Sequence, residues 1–435
     1  MRIALTGYYG FGNAGDDAIL QSIVAVLRRA GVTDVTVITY PGGDLDDVRR
    51  LAAVHAVDGA DLEEVDRAIG RADRLVIGGG GLIQDYLPTD PDDRFSERHS
   101  NLGFWSTLAI LARAKGVPTM TWALGVGPLS TDDGRAEASL FFSAVDLVTV
   151  RDPESAELAR SLGAADPKVV ADPAVLLEPA DDDPIAAEAE VEDLPTSGAK
   201  KIVVSVRHWD DDRWMDPLAE ALDRLVDEID ADVIFVPFQH SGRGLANDVL
   251  VSTRVAARMR NRARRAVLGT ELSPTETLAA IGSADLLIGM RLHSVIFAAT
   301  TGVPSVAMAY DPKVRVAMER LGLGSQVVDL GGVTSDWLVE AASAAAPPDP
   351  ALVAELQAAA RQSAGLLGMV TAAPVGALTP VAVDAAVRRA SEARALRVER
   401  DEAQAAHNQA AMERDNLTEA YDKLAAEYQT FLDSR

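Results

Sequence analysis

Cysteine is absent from the 435 residues, which excludes disulfides, thiol nucleophiles and thiolate metal sites together. Histidine is scarce: six side chains of this type are available to exchange protons near neutral pH. No run of about 20 apolar residues is present, the length needed to span a bilayer. The opening stretch MRIALTGYYG lacks the apolar core of a signal peptide, so a cytosolic protein is expected. Cations are in deficit, with 41 Lys and Arg against 66 Asp and Glu and a net charge of -25. Nucleic acid is thereby excluded as a main partner, because phosphate backbones need a cationic face. The acidity chiefly serves solubility, and any anionic substrate must be caught by a local cationic pocket against an unfavourable overall field.

What is present is enough apolar material for a large core, 48 % of residues, in a chain too long for one compact domain. Apolar strands are expected at Arg2–Thr6, Asp34–Tyr40, Ala72–Gly81, Val117–Pro128, Ala144–Asp152 and Pro167–Leu177, with a helix over Asp16–Ala30. Glu178–Lys200 is acidic and carries Pro, Ser and Gly, the composition of a linker. The rhythm restarts with strands in Lys201–Trp209, Ala231–Gln239, Ala284–Ser294 and Gly302–Lys313. Strands alternating with helices imply parallel βαβ units, hence two α/β domains in tandem with a cleft between them. The boundaries read as 1–178, a linker at 179–199, a second domain at 200–380 and a helical tail at 381–435. In the tail, Leu417, Tyr421, Leu424, Tyr428 and Phe431 make a short heptad seam. It is read either as a coiled coil that joins copies of the chain or as one amphipathic helix lying on a domain.

Glycine concentrates at three expected strand ends. "GYYGFGNAGDDAIL" (Gly7–Leu20) leaves the first strand and opens a helix, a place where free N–H groups can hold an anion. Gly10, Gly12 and Gly15 match the dinucleotide pattern GxGxxG, yet no acidic residue ends the next strand to bind a ribose. Asp16 and Asp17 would also compete with a pyrophosphate for the same amides. A turn capped by Asn13 or Asp16 is the alternative. Gly78–Gly81 and Gly125–Pro128 end two further strands, so the three ends are expected to shape one ligand floor.

"GMRLHS" (Gly289–Ser294) brings Arg291 and His293 to the end of an apolar strand, or to the turn into a helix. Arginine offers a charged fork for carboxylate or phosphate, and histidine a mobile proton. The alternative is Arg291 paired with a core carboxylate and His293 satisfied by backbone. Arg151, Arg207 and Lys313 fall at other expected strand ends and, with Arg291, could form a cationic pocket for a small, highly charged anion.

Together "GYYGFGNAGDDAIL", "IGGGGLIQD", "VTVRDPESAELARSLG", "VVADPAVLL" and "IGMRLHSVIFAATTGVPSVAMAYDPKV" resemble the polysaccharide pyruvyl transferase family, and within it the branch called CsaB, which pyruvylates secondary cell-wall polymers. The resemblance spans roughly Met1 to Gly331. It implies two Rossmann-like domains facing across a cleft, as in GT-B glycosyltransferases. It also implies transfer of a pyruvyl group from phosphoenolpyruvate to two hydroxyls of one sugar, as a cyclic ketal with release of phosphate. No metal or organic cofactor is implied; phosphoenolpyruvate is a co-substrate, and the acceptor is expected to be a lipid-linked glycan precursor at the inner face of the membrane. The family's Arg-Leu-His motif falls on Arg291, Leu292 and His293. On this reading His293 delivers the proton, while Arg291, Arg151, Arg207 and Lys313 hold phosphate and carboxylate. The glycine-rich edge, with Gly12, Asn13 and Gly80, faces the sugar, and Asp16 and Asp85 are candidate hydroxyl binders or base. A GT-B glycosyltransferase using a nucleotide sugar and a non-catalytic assembly scaffold are the competing readings. The acidic insert and the tail are not explained by the resemblance.

Overall fold

A computed structural model describes residues 1–86, 89, 102–189, 195, 200–240 and 247–371. Seven parallel strands build the first sheet: β1 (Arg2–Gly7), β2 (Asp34–Thr39), β3 (His55–Val57), β4 (Arg74–Ile83), β5 (Thr119–Val126), β6 (Thr149–Val150) and β7 (Lys168–Val169), in the order β3-β2-β1-β4-β5-β6-β7. Six more build the second: β8 (Lys200–Ser205), β9 (Ala231–Phe235), β10 (Arg265–Val267), β11 (Leu286–Gly289), β12 (Ser305–Ala309) and β13 (Val327–Asp329), in the order β10-β9-β8-β11-β12-β13. The central strands are buried almost throughout, as in β5 (TMTWALGV), because helices cover both faces of a parallel sheet. In each sheet the strand order reverses once, at β1/β4 and at β8/β11. That reversal opens a crevice at the carboxyl ends of the strands.

The helix Ala14–Arg29 joins the halves. Eleven of its 16 residues are buried, including Ala18, Ile19, Leu20 and Ile23, far more than one sheet face would cover. Its other side packs on the second domain's helices Pro274–Gly282 and Leu292–Thr301, so one apolar cluster runs from Ile19 through Leu278 and Ile281 to Val295. Backbone bonds add direction: the Ala14 amide donates to the Phe238 carbonyl at 2.9 Å, and Gln239 Nε2 to the Phe11 carbonyl at 2.6 Å. The helix Pro350–Leu366 returns from the second half onto Pro173–Leu176 of the first, where Gln357 Nε2 donates to the Val175 carbonyl at 3.2 Å.

Several expectations are corrected. Strand β4 does not stop at its glycines but runs through them to Ile83, with a register shift after Gly80. A Cβ on Gly79 would lie 2.0 Å from Ile19 Cγ2, so the missing side chain lets the joining helix press on the strand. The expected strand over Ala144–Asp152 shrinks to Thr149–Val150, because Ala144 ends a helix begun at Asp132. The acidic stretch read as a linker contains the helix Pro184–Ala189, whose Ile185 is buried and which packs on Pro274–Gly282. The short edge strands β3, β10 and β13 have no periodicity that reveals them. The heptad seam at Leu417–Phe431 lies outside the described residues. Among the described residues no helix is long and apolar enough to cross a membrane.

Asp17, in the first turn of the joining helix, is 3 % exposed and accepts a bond from the Gly10 amide at 3.1 Å. Burial pushes its carboxyl up to about 8 despite that bond, and the neighbouring carboxylates of Asp16, Asp47 and Glu271 add to the effect. The folded state therefore keeps a proton that the unfolded chain releases near the ordinary carboxylate value. This contribution to stability is complete below about pH 4, declines as pH rises and is gone above about pH 8. Asp17→Asn keeps the acceptor oxygen and removes the titration. Thermal melts should show a flatter pH dependence and, at pH 8, a Tm higher by about 3 °C or more; superimposable curves for the two proteins would refute the buried proton.

Candidate active site

Among the described residues, the side chains that line the interdomain cleft, of about 560 Å³, come from the carboxyl ends of strands, the turns that follow them and the first turns of the helices after those, with Leu102 and Trp105 of a further helix. Volumes of this order suit small-molecule sites. Arg151 follows β6, Arg207 follows β8, Arg291–His293 follow β11, and Tyr310 and Lys313 follow β12. Tyr8, Phe11, Asn13 and Asp16 come from the turn after β1 and the first turn of the joining helix.

Arg291 occupies the N-cap position of the helix Leu292–Thr301, which settles its placement at the turn rather than in the strand. Its guanidinium makes two bonds to Asp248, Nε to Oδ2 at 2.9 Å and Nη2 to Oδ1 at 2.7 Å. The core-pair reading and the ligand reading therefore coincide in one residue: Asp248 fixes one edge of the fork, and Arg291 still lines the cleft. Asp248 is itself held by the Phe238 and Gln239 amides at 3.2 and 3.1 Å.

His293 lies against the backbone of Gly15, across the domain joint. A Cβ on Gly15 would sit 2.1 Å from His293 Nδ1, so the third glycine of GFGNAG makes room for an imidazole of the other domain. The Nε2 atom is buried and points to Asp172 Oδ2 at 3.7 Å, and Arg151 Nη1 approaches the same oxygen at 3.7 Å. Burial pushes the Asp172 carboxyl up, but His293, Arg151 and the Ala174 amide outweigh it and hold the group below the ordinary range. Asp172 is thus an anion behind the imidazole.

Asn13, not Asp16, caps the joining helix, its side chain accepting from the Gly15 amide at 3.1 Å. Asp16 is left partly exposed and makes no hydrogen bond among the described residues. Burial raises its pKa, and the attraction of His293, Arg291 and Lys313 offsets this only in part. On the opposite wall Arg207 lies 4.8 Å over the Tyr310 ring and 5.3 Å over Trp209, and its Nη1 donates to Tyr310 Oη at 3.2 Å. Lys313 Nζ is 3.1 Å from Asp311, which also accepts from the Tyr86 hydroxyl. Burial pushes the Tyr310 phenol up, but Lys313, Arg207 and Arg291 more than reverse this and leave it below its ordinary value.

The cleft brings together Arg151, Arg207, Arg291, Leu292, His293, Lys313, Asn13 and Asp16. Three expected residues lie outside its lining. Gly12 uses its carbonyl at the joint, accepting from the His240 amide at 3.4 Å. Gly80 stands behind Asp16, where a Cβ would come within 3.0 Å of Oδ1. Asp85 is buried and turned away: both of its oxygens accept from the amides and hydroxyls of Ser130 and Thr131, at 2.7–3.2 Å. Burial pushes Asp85 up, yet those bonds hold it below its ordinary value, as suits a loop anchor rather than a base. Asp172, Tyr310 and the aromatic residues of the first domain escape sequence reasoning. Asp172 also caps the turn Pro173–Leu176, since its Oδ1 accepts from the Ala174 amide at 3.0 Å.

Two Rossmann-like halves closing on a cationic cleft define a GT-B-like α/β protein. Solved structures share this fold: S. aureus MnaA in complex with UDP, 14 % identical, TM-score 0.55, covering 85 % of this chain and 95 % of that one; the UDP-GlcNAc 2-epimerase of Methanocaldococcus jannaschii, 10 % identical, TM-score 0.58, covering 85 % and 99 %; and a Listeria monocytogenes protein described as a putative UDP-N-acetylglucosamine 2-epimerase, 12 % identical, TM-score 0.57, covering 84 % and 95 %. At these identities the likeness is one of fold. The family follows from the sequence: the polysaccharide pyruvyl transferase model matches residues 13–312, and the chain belongs to that family.

Gly15 has helical backbone, which alanine favours by about 1 kcal/mol. The clash with His293 works against this by about 1–3 kcal/mol, so Gly15→Ala should keep the circular dichroism spectrum and lower Tm by a few degrees at most. Displacing His293 should lower transferase turnover by about a hundredfold. Unchanged turnover would show that the contact across the joint has no part in the site.

Proposed function

We propose that the protein transfers the pyruvyl group of phosphoenolpyruvate to two hydroxyls of one sugar in a cell-wall polysaccharide precursor, giving a cyclic ketal and phosphate. The observation that carries this reading is the gathering of Arg151, Arg207, Arg291 and Lys313 around one histidine in a protein of net charge -25. Phosphoenolpyruvate bears a carboxylate and a phosphate on three carbons, and few metabolites need so many cations in so little space. Membership of the family supports the same chemistry.

The residues fit a balanced sequence of steps. His293, protonated, gives its proton to the methylene carbon, which becomes the methyl group, and positive charge develops at C2. A sugar hydroxyl forms a bond to C2 and loses its proton to Asp16, whose raised pKa suits a group that must first take and later return a proton. The second hydroxyl then attacks C2 and gives its proton to His293, while the C2–O bond to phosphate breaks. Asp16 returns its proton to the departing phosphate. The cations hold phosphate and carboxylate throughout and stabilise the leaving group. Asp172 is a positioning residue: it stands 3.7 Å behind Nε2 and fixes the ring's orientation, which leaves Nδ1 for the reaction.

The test is phosphate release from phosphoenolpyruvate with a panel of synthetic and lipid-linked glycan acceptors, with calorimetric titration of phosphoenolpyruvate and UDP in parallel. Acceptor-dependent release, abolished by His293→Ala, is the expected result. Binding of UDP without binding of phosphoenolpyruvate would overturn the proposal in favour of a nucleotide-sugar transferase.

Asp172→Asn keeps the cap on Ala174 and removes the negative charge behind Nε2. It should lower kcat about tenfold or more with little change in the donor KM, since orientation of the imidazole and not donor binding is lost. A kcat equal to wild type, or a loss seen equally in donor KM, would refute the positioning role.

A further inference from the structure

The cationic residues occupy only part of the cleft. Facing them is a wall of aromatic rings in a chain where aromatics make up 5 % of residues. Tyr8 and Phe11 stack on each other with centroids 4.3 Å apart and planes within 11°. Both are half-buried and both line the cleft. They rest on Tyr40, at 5.8 and 6.3 Å, and Tyr40 rests on Phe104 and Trp105, at 5.0 and 5.5 Å. The second row is buried, with Tyr40 1 % exposed. The front pair is therefore backed by a rigid aromatic base.

The loop that carries the pair is built to present it. In GYYGFGN, Tyr9 points inward and its hydroxyl donates to the Gly78 carbonyl at 2.8 Å, while Tyr8 and Phe11 on either side point to the cleft. Gly10 has φ +80°, and a Cβ there would lie 2.7 Å from the Asp44 carbonyl oxygen. The left-handed residue brings Phe11 back over Tyr8. The loop is then pinned on both sides, by Asp17 at the Gly10 amide and by Gln239 at the Phe11 carbonyl. Such preorganisation of a partly solvated aromatic pair serves a ligand better than it serves the core.

We propose that Tyr8 and Phe11 are the stacking platform for the pyranose ring of the acceptor sugar. This rests on the transferase reading and deepens it. A pyranose offers an apolar C–H face bordered by hydroxyls, which matches flat rings bordered by the amide side chains of Asn13 and Gln84 in the same lining. Phosphoenolpyruvate has no such face and belongs with the cations. Asp16 links the two halves: its charge is felt by the Tyr8 hydroxyl on one side and by His293, Arg291 and Lys313 on the other. A sugar on the platform would thus hold its hydroxyls between the base and the donor.

Saturation-transfer NMR on the full-length protein tests this with a panel of methyl hexopyranosides, N-acetylated and not, and with uridine as the competing planar ligand. Irradiation of the aromatic protons should transfer magnetisation to the C–H protons of one face of at least one pyranoside. Phe11→Leu and Tyr8→Leu should each raise the Kd for that pyranoside about tenfold, and Phe11→Tyr, which restores a ring, should fall between wild type and Phe11→Leu. Calorimetry on the same samples should show Kd for phosphoenolpyruvate within about twofold of wild type. Transfer to uridine alone, no transfer to any pyranoside, or equal losses for pyranoside and phosphoenolpyruvate would each overturn the platform. If wild type binds no phosphoenolpyruvate the transferase reading fails separately, and the NMR result still decides the platform.

Discussion

The imidazole of His293 lies on the bare backbone of Gly15, and the rest of the site depends on that contact. It joins the turn after β11 in one sheet to the first turn of a helix that follows β1 in the other. Because the two come from different domains, the geometry holds only while the domains stay docked. The buried helix Ala14–Arg29, the Ala14–Phe238 backbone bond and the returning helix Pro350–Leu366 all act to keep them so. A glycine that would ordinarily signal a phosphate at a helix start here leaves room for a side chain. The amide it would offer an anion is already taken by Asn13.

Charge is arranged in pairs that leave one side open. Arg291 is locked to Asp248, Lys313 stands by Asp311, and Arg151 by Asp152 and Asp172. Burying a guanidinium without such a partner would cost several kcal/mol. With the partners in place, the cations can wait in a partly dry cleft and reorganise little when an anion arrives. Arg207 is held by Tyr310 and by no carboxylate among the described residues, and Asp16 has no hydrogen-bonded partner among them. Burial therefore raises it while the nearby cations restrain it, which suits proton exchange better than permanent ion pairing.

The glycines serve close approach more than ligand contact. Gly79 admits Ile19, Gly15 admits His293, and Gly125 carries the Arg151 guanidinium, whose Nη2 would be 2.7 Å from a Cβ there. Three glycine-rich stretches read as one ligand floor are thus largely places where side chains of neighbouring elements are received. The ligand-facing work of the first loop falls instead to the residues between its glycines, Tyr8 and Phe11.

The sequence by itself determined the parallel α/β class, the two repeats and most of the cationic set. Buried parallel strands are continuous apolar runs, and the residues that follow them fall together at the sheets' carboxyl ends whatever the remaining details. It did not determine Asp172, which no pattern singled out, nor the role of Asp85, whose carboxylate is spent on Ser130 and Thr131. It left the partners of Arg291 open, because Asp248 lies 43 residues away in the chain. The tertiary structure alone decided which glycine meets His293, which cleft carboxylate has no hydrogen-bonded partner among the described residues and which rings face the cleft. Those facts depend on how two separately folded sheets are pressed together, and no periodicity within either one records that contact.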